Sequence, residues 1–309
     1  MSDKIVRIEN LSHKYSKDWA IKDINFEIGN NEILGLLGSN GAGKSTTMNI
    51  LCGVLNQTEG NVYINGINMR KNPIEAKKYI GFLPQKPPVY PDLTVREYLT
   101  HCAYLRLGPK CKIAKAVDEA LEKCGLTSMS KRVIRNLSGG YQQRVGIAQS
   151  IIHKPKLVVF DEPTTGLDPN NIVEIRALIS EIAEDRAVVL CSHILPEVQA
   201  TCGTIKMIEK GKLVFSDTME AFNDYIEPNT ISLALENPPS KEDILSINGV
   251  KEVRNLNGNK FQIVFDTSIN VSRAIVNKCI EKDWGLLEIV LEKQSLDLIF
   301  AHLSGKNSK

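Results

Sequence analysis

Short apolar segments alternate with longer, helix-like segments over much of the chain. An apolar run of four or five residues between polar segments is typical of a strand buried on both faces of a sheet. Strands are predicted in this way at 33–37, 157–160 and 187–191, and the helices that follow them at 46–51, 170–184 and 194–200. This alternation indicates an α/β fold with a mostly parallel sheet and helices on its faces.

The other elements of this region form a β-rich start and a helical middle. Short strands are predicted at 5–8 and 24–28. Thr94 and Glu97 have capping-box spacing, which predicts a helix beginning at Val95. Two further helices are predicted at about 112–123 and 139–153.

A second series of elements begins after a change of composition at 227–229. The predicted order is strand 231–235, helix 241–247, strand 250–256, strand 260–266, helix 271–283, strand 286–291 and helix 295–303. The first six elements have the order of a ferredoxin-like α+β domain. The length of 309 residues also suggests two domains, and we expect them at 1–226 and 227–309.

The composition narrows the classes of function. The formal net charge is only +2, so it gives no electrostatic basis for binding nucleic acid. No apolar segment approaches the roughly 20 residues that cross a bilayer, so the chain is not expected to span a membrane by itself. The 7 cysteines are odd in number and include no Cys-x-x-Cys pair, which indicates free thiols in a reducing cytosol.

A glycine-rich segment lies between the strand at 33–37 and the helix that follows it. Residues 38–45 fit G-x-x-x-x-G-K-[ST], which in this context binds the phosphates of a nucleotide. Backbone amides and the helix N-terminus would face the phosphates, Lys44 would reach the β- and γ-phosphates, and Ser45 would offer its hydroxyl to Mg²⁺. The nucleotide-binding residues expected here are Ser39, Asn40, Gly41, Ala42, Gly43, Lys44, Ser45 and Thr46. The alternative is a glycine-rich turn with an incidental lysine.

Two acidic residues follow the buried strand at 157–160. Ligands of open α/β sheets bind at the carboxyl ends of the strands, where Asp161 and Glu162 are expected. Asp161 would hold Mg²⁺, and Glu162 would act as the general base that polarises an attacking water. The alternative is a polar strand end at the surface.

Residues 137–144, Leu-Ser-Gly-Gly-Tyr-Gln-Gln-Arg, form a second candidate anion-binding segment. Ser138 can cap the helix that follows, while Gly139 and Gly140 leave its amides accessible. The segment resembles the signature motif of ABC ATPases. The resemblance implies that this helix end covers the γ-phosphate bound by another protomer, so that two ATP molecules lie in a head-to-tail dimer. A well-capped helix without a ligand is the alternative.

Four more positions of that family are present in order. Tyr15 stands where an aromatic ring stacks on adenine, although Trp19 is a competitor. Gln85 is similar to the Q-loop glutamine, which contacts Mg²⁺ and couples to the membrane partner. Asp168 resembles the D-loop residue that contacts the opposite protomer, although an N-cap before Pro169 is a compatible role. His193 is similar to the switch histidine that contacts the γ-phosphate.

The resemblance covers about residues 4–220 and implies a specific architecture and function. It implies a P-loop NTPase core of the ABC ATPase type, with an N-terminal antiparallel β-subdomain and a helical subdomain at about 88–153. It further implies ATP hydrolysis that drives transport through separate transmembrane permease subunits. The chain would dimerise with itself or a related subunit and would lie in the cytoplasm, on the cytoplasmic face of the membrane.

Two sequence features indicate a subclass within this family, and other functions stay open as alternatives. Tyr141 and the segment at 295–300 resemble subunits of exporters of the drug-resistance and gliding-motility-associated type. The alternative function is a non-transport ABC ATPase that acts on ribosomes or DNA, which the near-neutral charge and the short stretch between Gln85 and Ser138 disfavour. The domain at 227–309 could bind a small regulator, support dimerisation or contact a partner, and no cluster of polar residues favours a ligand.

Overall fold

The computed structural model describes residues 4–108, 112–225, 230–266 and 269–292, so the predicted helix at 295–303 lies outside the described residues. The chain forms two compact units, residues 1–219 and 220–309. The boundary expected from the composition, between 226 and 227, comes just after the helix that begins at this division. The six cysteines of the described ranges are all free thiols.

The first unit alternates between strands and helices over most of its length. Its elements in chain order are β1 (Lys4–Tyr15), β2 (Asp18–Gly29), β3 (Ile33–Leu37), α1 (Lys44–Leu51), β4 (Glu59–Ile64), β5 (Ile67–Asn68), α2 (Pro73–Lys77), β6 (Ile80–Leu83), α3 (Val95–Leu107), α4 (Ile113–Lys123), α5 (Gly139–Ile151), β7 (Leu157–Asp161), α6 (Pro169–Ala183), β8 (Ala187–Ser192), α7 (Leu195–Thr201), β9 (Thr204–Glu209) and β10 (Lys212–Thr218). Helix α8 (Met219–Tyr225) follows and begins at the division between the two units.

Two sheets organise this unit. The order β2-β1-β4-β5 makes an antiparallel sheet, as the resemblance to ABC ATPases implied. The order β10-β9-β3-β8-β7-β6 makes a second sheet, in which every neighbouring pair except β10 and β9 is parallel. Strands β3, β7 and β8 are almost completely buried, which explains their continuous apolar sequences.

The register of the parallel strands places their carboxyl ends together. Leu37 of β3 lies opposite Ser192 of β8, and Asp161 of β7 lies opposite Cys191 of β8. On the other side of β7, Leu83 of β6 lies opposite Phe160. The loops after four neighbouring strands therefore leave the sheet along one edge.

Three helices between β6 and β7 pack against one another. Helix α3 begins after Thr94, whose hydroxyl accepts a hydrogen bond from the backbone N–H of Glu97 while that glutamate accepts from the N–H of Thr94, so the predicted capping box is confirmed. Each of the three helices buries apolar residues, among them Leu99 of α3, Val117 of α4 and Val145 of α5.

The second unit has a four-stranded antiparallel sheet. Its elements are β11 (Thr230–Leu235), α9 (Lys241–Leu245), β12 (Val250–Asn255), β13 (Lys260–Phe265), α10 (Val271–Glu281) and β14 (Leu286–Glu292). The strand order β12-β13-β11-β14, with every pair antiparallel, confirms the predicted ferredoxin-like arrangement. Alternate residues of β11 and β13 pack with the apolar sides of α9 and α10 into one core.

Candidate functional site

The glycine-rich segment forms a tight loop between β3 and α1. Gly41 and Gly43 have φ angles of 81° and 109°, in the region that only glycine adopts without strain. A side chain at Gly43 would also lie 2.5 Å from Ile21 Cγ2 and 2.9 Å from the carbonyl oxygen of Ala20. The loop therefore needs glycine here for both conformation and space.

Lys44 is the first residue of α1, and its side chain turns back onto the loop. The residue is 6% exposed, and its Nζ donates hydrogen bonds to the carbonyl oxygens of Gly38 at 2.7 Å and Ser39 at 3.0 Å. The Ser39 hydroxyl in turn donates to Glu209 Oε2 at 2.7 Å. The other expected phosphate ligands, Asn40, Gly41 and Ser45, are exposed on the rim of the loop, whereas Ala42 is buried and Gly43 and Thr46 are half-buried.

Asp161 has an unpaired oxygen at the end of β7. The residue is 8% exposed, and its Oδ1 is buried without a hydrogen-bond partner in the protein. Burial raises the pKa of the Asp161 carboxyl, although a hydrogen bond from the Cys191 thiol opposes the shift. An unsatisfied buried carboxylate oxygen is costly, and a bound cation is one of the few partners that can satisfy it.

Glu162 is held by two other side chains. Its carboxylate contacts His193 Nδ1 at 2.6 Å through Oε2 and at 2.7 Å through Oε1, and Oε2 also accepts from the Thr165 hydroxyl at 2.9 Å. Its backbone φ is 53°, and its N–H donates to the carbonyl of Cys191 at 2.9 Å. A non-glycine residue in this left-handed conformation stores strain, which is frequent at functional sites.

The predicted base and the predicted switch histidine are therefore in direct contact. Glu162 is 8% exposed, whereas the side chain of His193 is 39% exposed and reaches the surface. Gln85 also belongs to this edge of the sheet, because it is exposed two residues beyond Leu83, the partner of Phe160. The structure thus brings the loop at 38–45, the acidic pair, His193 and Gln85 to neighbouring strand ends.

Ser138 and Gly139 are exposed at the start of α5. Ser138 has the backbone conformation of an N-cap, but its side chain makes no capping hydrogen bond, so the predicted side-chain cap is wrong. The hydroxyl and the first amides of α5 remain available to another partner. Gly140 is buried, and a side chain there would lie 2.3 Å from Asn171 Oδ1.

Asp168 caps helix α6. Its carboxylate accepts hydrogen bonds from the backbone N–H of Asn171 at 3.1 Å and from the side-chain amide of the same residue. These bonds hold the pKa of the Asp168 carboxyl below its usual value. The N-cap role expected for Asp168 is confirmed. Asn171, which the sequence patterns did not indicate, lies between Asp168 and helix α5.

The aromatic candidates lie on the β1–β2 hairpin. Tyr15 is 52% exposed and packs edge-on against the His13 ring at 4.8 Å. Trp19 is 40% exposed, and Lys14 Nζ lies 5.6 Å from its ring centre. Both rings are accessible, so each stays a candidate for stacking on a base.

Comparison with known proteins places this site in a family. Residues 21–165 match the family model described as ABC transporter. The bacitracin transport ATP-binding protein BcrA of Bacillus licheniformis is 37% identical over 212 residues, which are 68% of this chain and 68% of that protein. The chain belongs to the ATP-binding subunits of ABC transporters. As a member of that family it binds and hydrolyses ATP.

Two further comparisons extend the match. The linearmycin resistance ATP-binding protein LnrL of Bacillus subtilis is 28% identical over 307 residues, 98% of this chain and 99% of that protein. A solved dimeric ATP-binding cassette, bound to ADP and phosphate after hydrolysis, superimposes with a TM-score of 0.62 at 26% identity over 69% of this chain and 98% of that one. The relatives agree with the expected resemblance to drug-resistance exporters. No helix of the described ranges is long and apolar enough to cross a membrane.

Proposed function

We propose that this ABC ATPase hydrolyses Mg²⁺-bound ATP at the edge of the parallel sheet and so drives transport through separate transmembrane subunits. The observation that carries the catalytic part is the convergence of Lys44, Asp161, Glu162 and His193 on the ends of three neighbouring strands. All four are the residue types that phosphoryl transfer to water requires: a cation for the phosphates, a metal ligand, a base and a second contact for the γ-phosphate.

Lys44 is positioned to bind the β- and γ-phosphates. Its ammonium group donates to the carbonyls of Gly38 and Ser39, so it lies against the backbone of the loop that would bind the phosphates. Phosphate oxygens would replace those carbonyls as acceptors, while the amides at the start of α1 donate to the same oxygens. Tyr15 or Trp19 would stack on the adenine.

The residues present fit a magnesium ion. The buried Oδ1 of Asp161 lacks a protein partner, and oxygen ligands are the ones that Mg²⁺ prefers. Ser45 and Gln85 would supply the other protein oxygens. When bound, the ion neutralises charge that develops on the phosphates. Among the described residues no cluster of three or more His, Cys, Asp or Glu could hold a metal, which suits an ion bound together with substrate phosphates.

Glu162 would take a proton from the attacking water. Its carboxylate is buried and held in place by His193 and Thr165, so little reorganisation is needed before it acts. His193 reaches the surface, where its other ring nitrogen can contact the γ-phosphate. A histidine that touches both the base and the phosphate would couple nucleotide binding to the orientation of the base.

A head-to-tail dimer would complete each site. Ser138, Gly139 and Asp168 are exposed and lie at two helix starts, which suits contact with the nucleotide and loops of a second protomer. The similar cassette bound to ADP and phosphate is dimeric. The second protomer would be another copy of this chain or a related subunit.

The transport part of the proposal rests on the relatives. Their names describe bacitracin transport and linearmycin resistance, and both descriptions are consistent with export. We infer an exporter subunit on the cytoplasmic face of the membrane, with residues 1–226 as the ATPase domain and 227–309 as an accessory domain. The substrate would be chosen by the transmembrane partner.

The partner class can be tested by purification from the native membrane. We expect the tagged full-length chain, extracted in mild detergent, to co-purify with a protein that has several apolar spans, and ATP turnover in the complex to respond to the transported compound. Purification with ribosomes, or stimulation of turnover by nucleic acid, would contradict the proposal. A tagged chain with Lys44→Ala controls for ATP-dependent association.

A further inference from the structure

A buried glutamate lies behind the pair formed by Glu162 and His193. Glu197, in the first turn of α7, is 6% exposed. Its Oε2 accepts hydrogen bonds from the hydroxyls of Thr164 at 2.6 Å and Ser192 at 3.2 Å. Burying a carboxylate is expensive unless it is hydrogen-bonded, so these two bonds determine where the group can lie.

The two hydroxyls lie next to the base and the switch histidine: Thr164 is in the loop after β7, and Ser192 is the last residue of β8. Thr164 is two residues after Glu162 and directly precedes Thr165, whose hydroxyl donates to Glu162 Oε2. Ser192 directly precedes His193, and its oxygen also accepts from the backbone N–H of Ile194 at 3.0 Å. One carboxylate therefore joins the loop after β7 to the end of β8, close to both reacting side chains.

Helix α7 holds this carboxylate in a fixed position. Val198, the next residue, is fully buried against β3, where Gly35 leaves room for it: a side chain at Gly35 would lie 2.3 Å from Val198 Cγ1. The helix that carries Glu197 is thus packed on the central sheet. If Thr164 moved relative to Ser192, one of their hydrogen bonds to Glu197 would break, because the helix that carries Glu197 is fixed on the sheet.

We propose that Glu197 is a positioning residue for ATP hydrolysis, which keeps Glu162 and His193 in register by holding Thr164 and Ser192. The inference rests on the proposed roles of Glu162 and His193. Glu197 does not itself touch the reacting atoms. Its effect should therefore fall on turnover, and the phosphate loop that sets ATP affinity should be unaffected.

The test compares Glu197→Ala with Glu197→Gln in the full-length chain. We expect Glu197→Ala to lower kcat about 100-fold, the effect of a small misplacement of reacting groups, with the Kd for a non-hydrolysable ATP analogue unchanged within twofold. Glutamine keeps an oxygen that can accept both hydroxyls, so Glu197→Gln should recover kcat to within about fivefold of wild type. Glu184→Ala, at an exposed acid on the end of α6, is the control and should leave kcat unchanged.

Three results would overturn the inference. These are a kcat of Glu197→Ala within twofold of wild type, a glutamine variant no more active than the alanine variant, or an ATP affinity that falls with kcat. If Glu197→Ala does not fold, Thr164→Val and Ser192→Ala replace it, and unchanged kcat in both contradicts the proposal. If wild type hydrolyses ATP and Glu162→Gln does not, the proposed function stands, whatever the variants at Glu197, Thr164 and Ser192 show.

Discussion

At the scale of single residues, the site depends on buried polar groups with few partners. Asp161 has an unpaired oxygen, Glu162 is held by His193 and Thr165, and Glu197 is held by two hydroxyls. Each of these arrangements is costly without its partners. The ATPase site is therefore built from groups whose positions are set by their surroundings.

His153 gives a residue-scale prediction outside the site. Its Nε2 lies 2.9 Å from the carbonyl of Ile80, its Nδ1 is buried without a partner, and burial lowers the pKa of the imidazole from 6.5 to about 4. The neutral form is therefore the one that folding favours. Because the folded-state pKa is depressed, the stability that the neutral imidazole contributes to the fold is complete above pH 6.5 and is lost as the pH falls towards 4.

The measurement is the free energy of unfolding in urea at pH 7 and pH 4.5 for wild type and His153→Gln. Wild type should lose up to about 3 kcal/mol more than the glutamine variant between these pH values, since each pKa unit is worth about 1.4 kcal/mol. The many carboxylates titrate in both proteins and cancel in the difference. Equal losses in the two proteins would contradict the burial of a neutral histidine.

Sequence patterns found the catalytic residue types but not the contacts among them. The loop at 38–45, Asp161, Glu162 and His193 were predicted because each follows a buried strand in a recognisable local pattern. Glu197 and Asn171 were not, since a glutamate or asparagine in a helix has no local signal of a buried partner. Thr164, which donates to Glu197, and Gly140, which lies against Asn171, are distant from these residues in the sequence, so the contacts are defined only by the fold.

At the scale of elements, continuous apolar sequence was the most reliable guide. The strands predicted at 157–160 and 187–191 extend to Asp161 and Ser192 in the structure. By contrast β1 continues to Tyr15, well beyond the predicted end at residue 8, because it pairs with both β2 and β4. Strands β4, β6, β9 and β10 were not predicted, since glycine or polar residues interrupt most of them. In addition, β4, β6 and β9 pair with strands that are distant in sequence.

The start of α5 gives a prediction at this scale. Gly140→Ala would bring a methyl group to 2.3 Å from Asn171 Oδ1, whereas the nearest atom to a methyl group at Gly139 is Leu167 Cδ2 at 3.8 Å. Overpacking at Gly140 should lower the free energy of unfolding by about 1–3 kcal/mol. Gly139→Ala is the matched control and should be neutral or slightly stabilising, because alanine favours the helix.

Thermal or urea unfolding of the two variants beside wild type checks this prediction. Similar stability of Gly140→Ala and Gly139→Ala would show that Asn171 can move freely. It would then contradict a tight contact between α5 and the N-terminal cap of α6.

At the scale of the whole molecule, the chain combines an ATPase unit with a ferredoxin-like unit. The first carries every residue of the candidate site. The structural neighbour covers only 69% of this chain, whereas the linearmycin resistance protein matches 98% of it. We therefore place catalysis in the first unit and propose that Glu162 activates water there, at a site that a second protomer completes.

The most direct measurement of that claim is the mass of Glu162→Gln in solution with Mg²⁺ and ATP, by size-exclusion chromatography with light scattering. Glutamine keeps the shape of the side chain but cannot accept the water's proton. We predict that the variant binds ATP, does not hydrolyse it and elutes as a dimer, while wild type returns to a monomer as ATP is consumed. A variant that binds ATP and either hydrolyses it at the wild-type rate or remains a monomer would contradict the account.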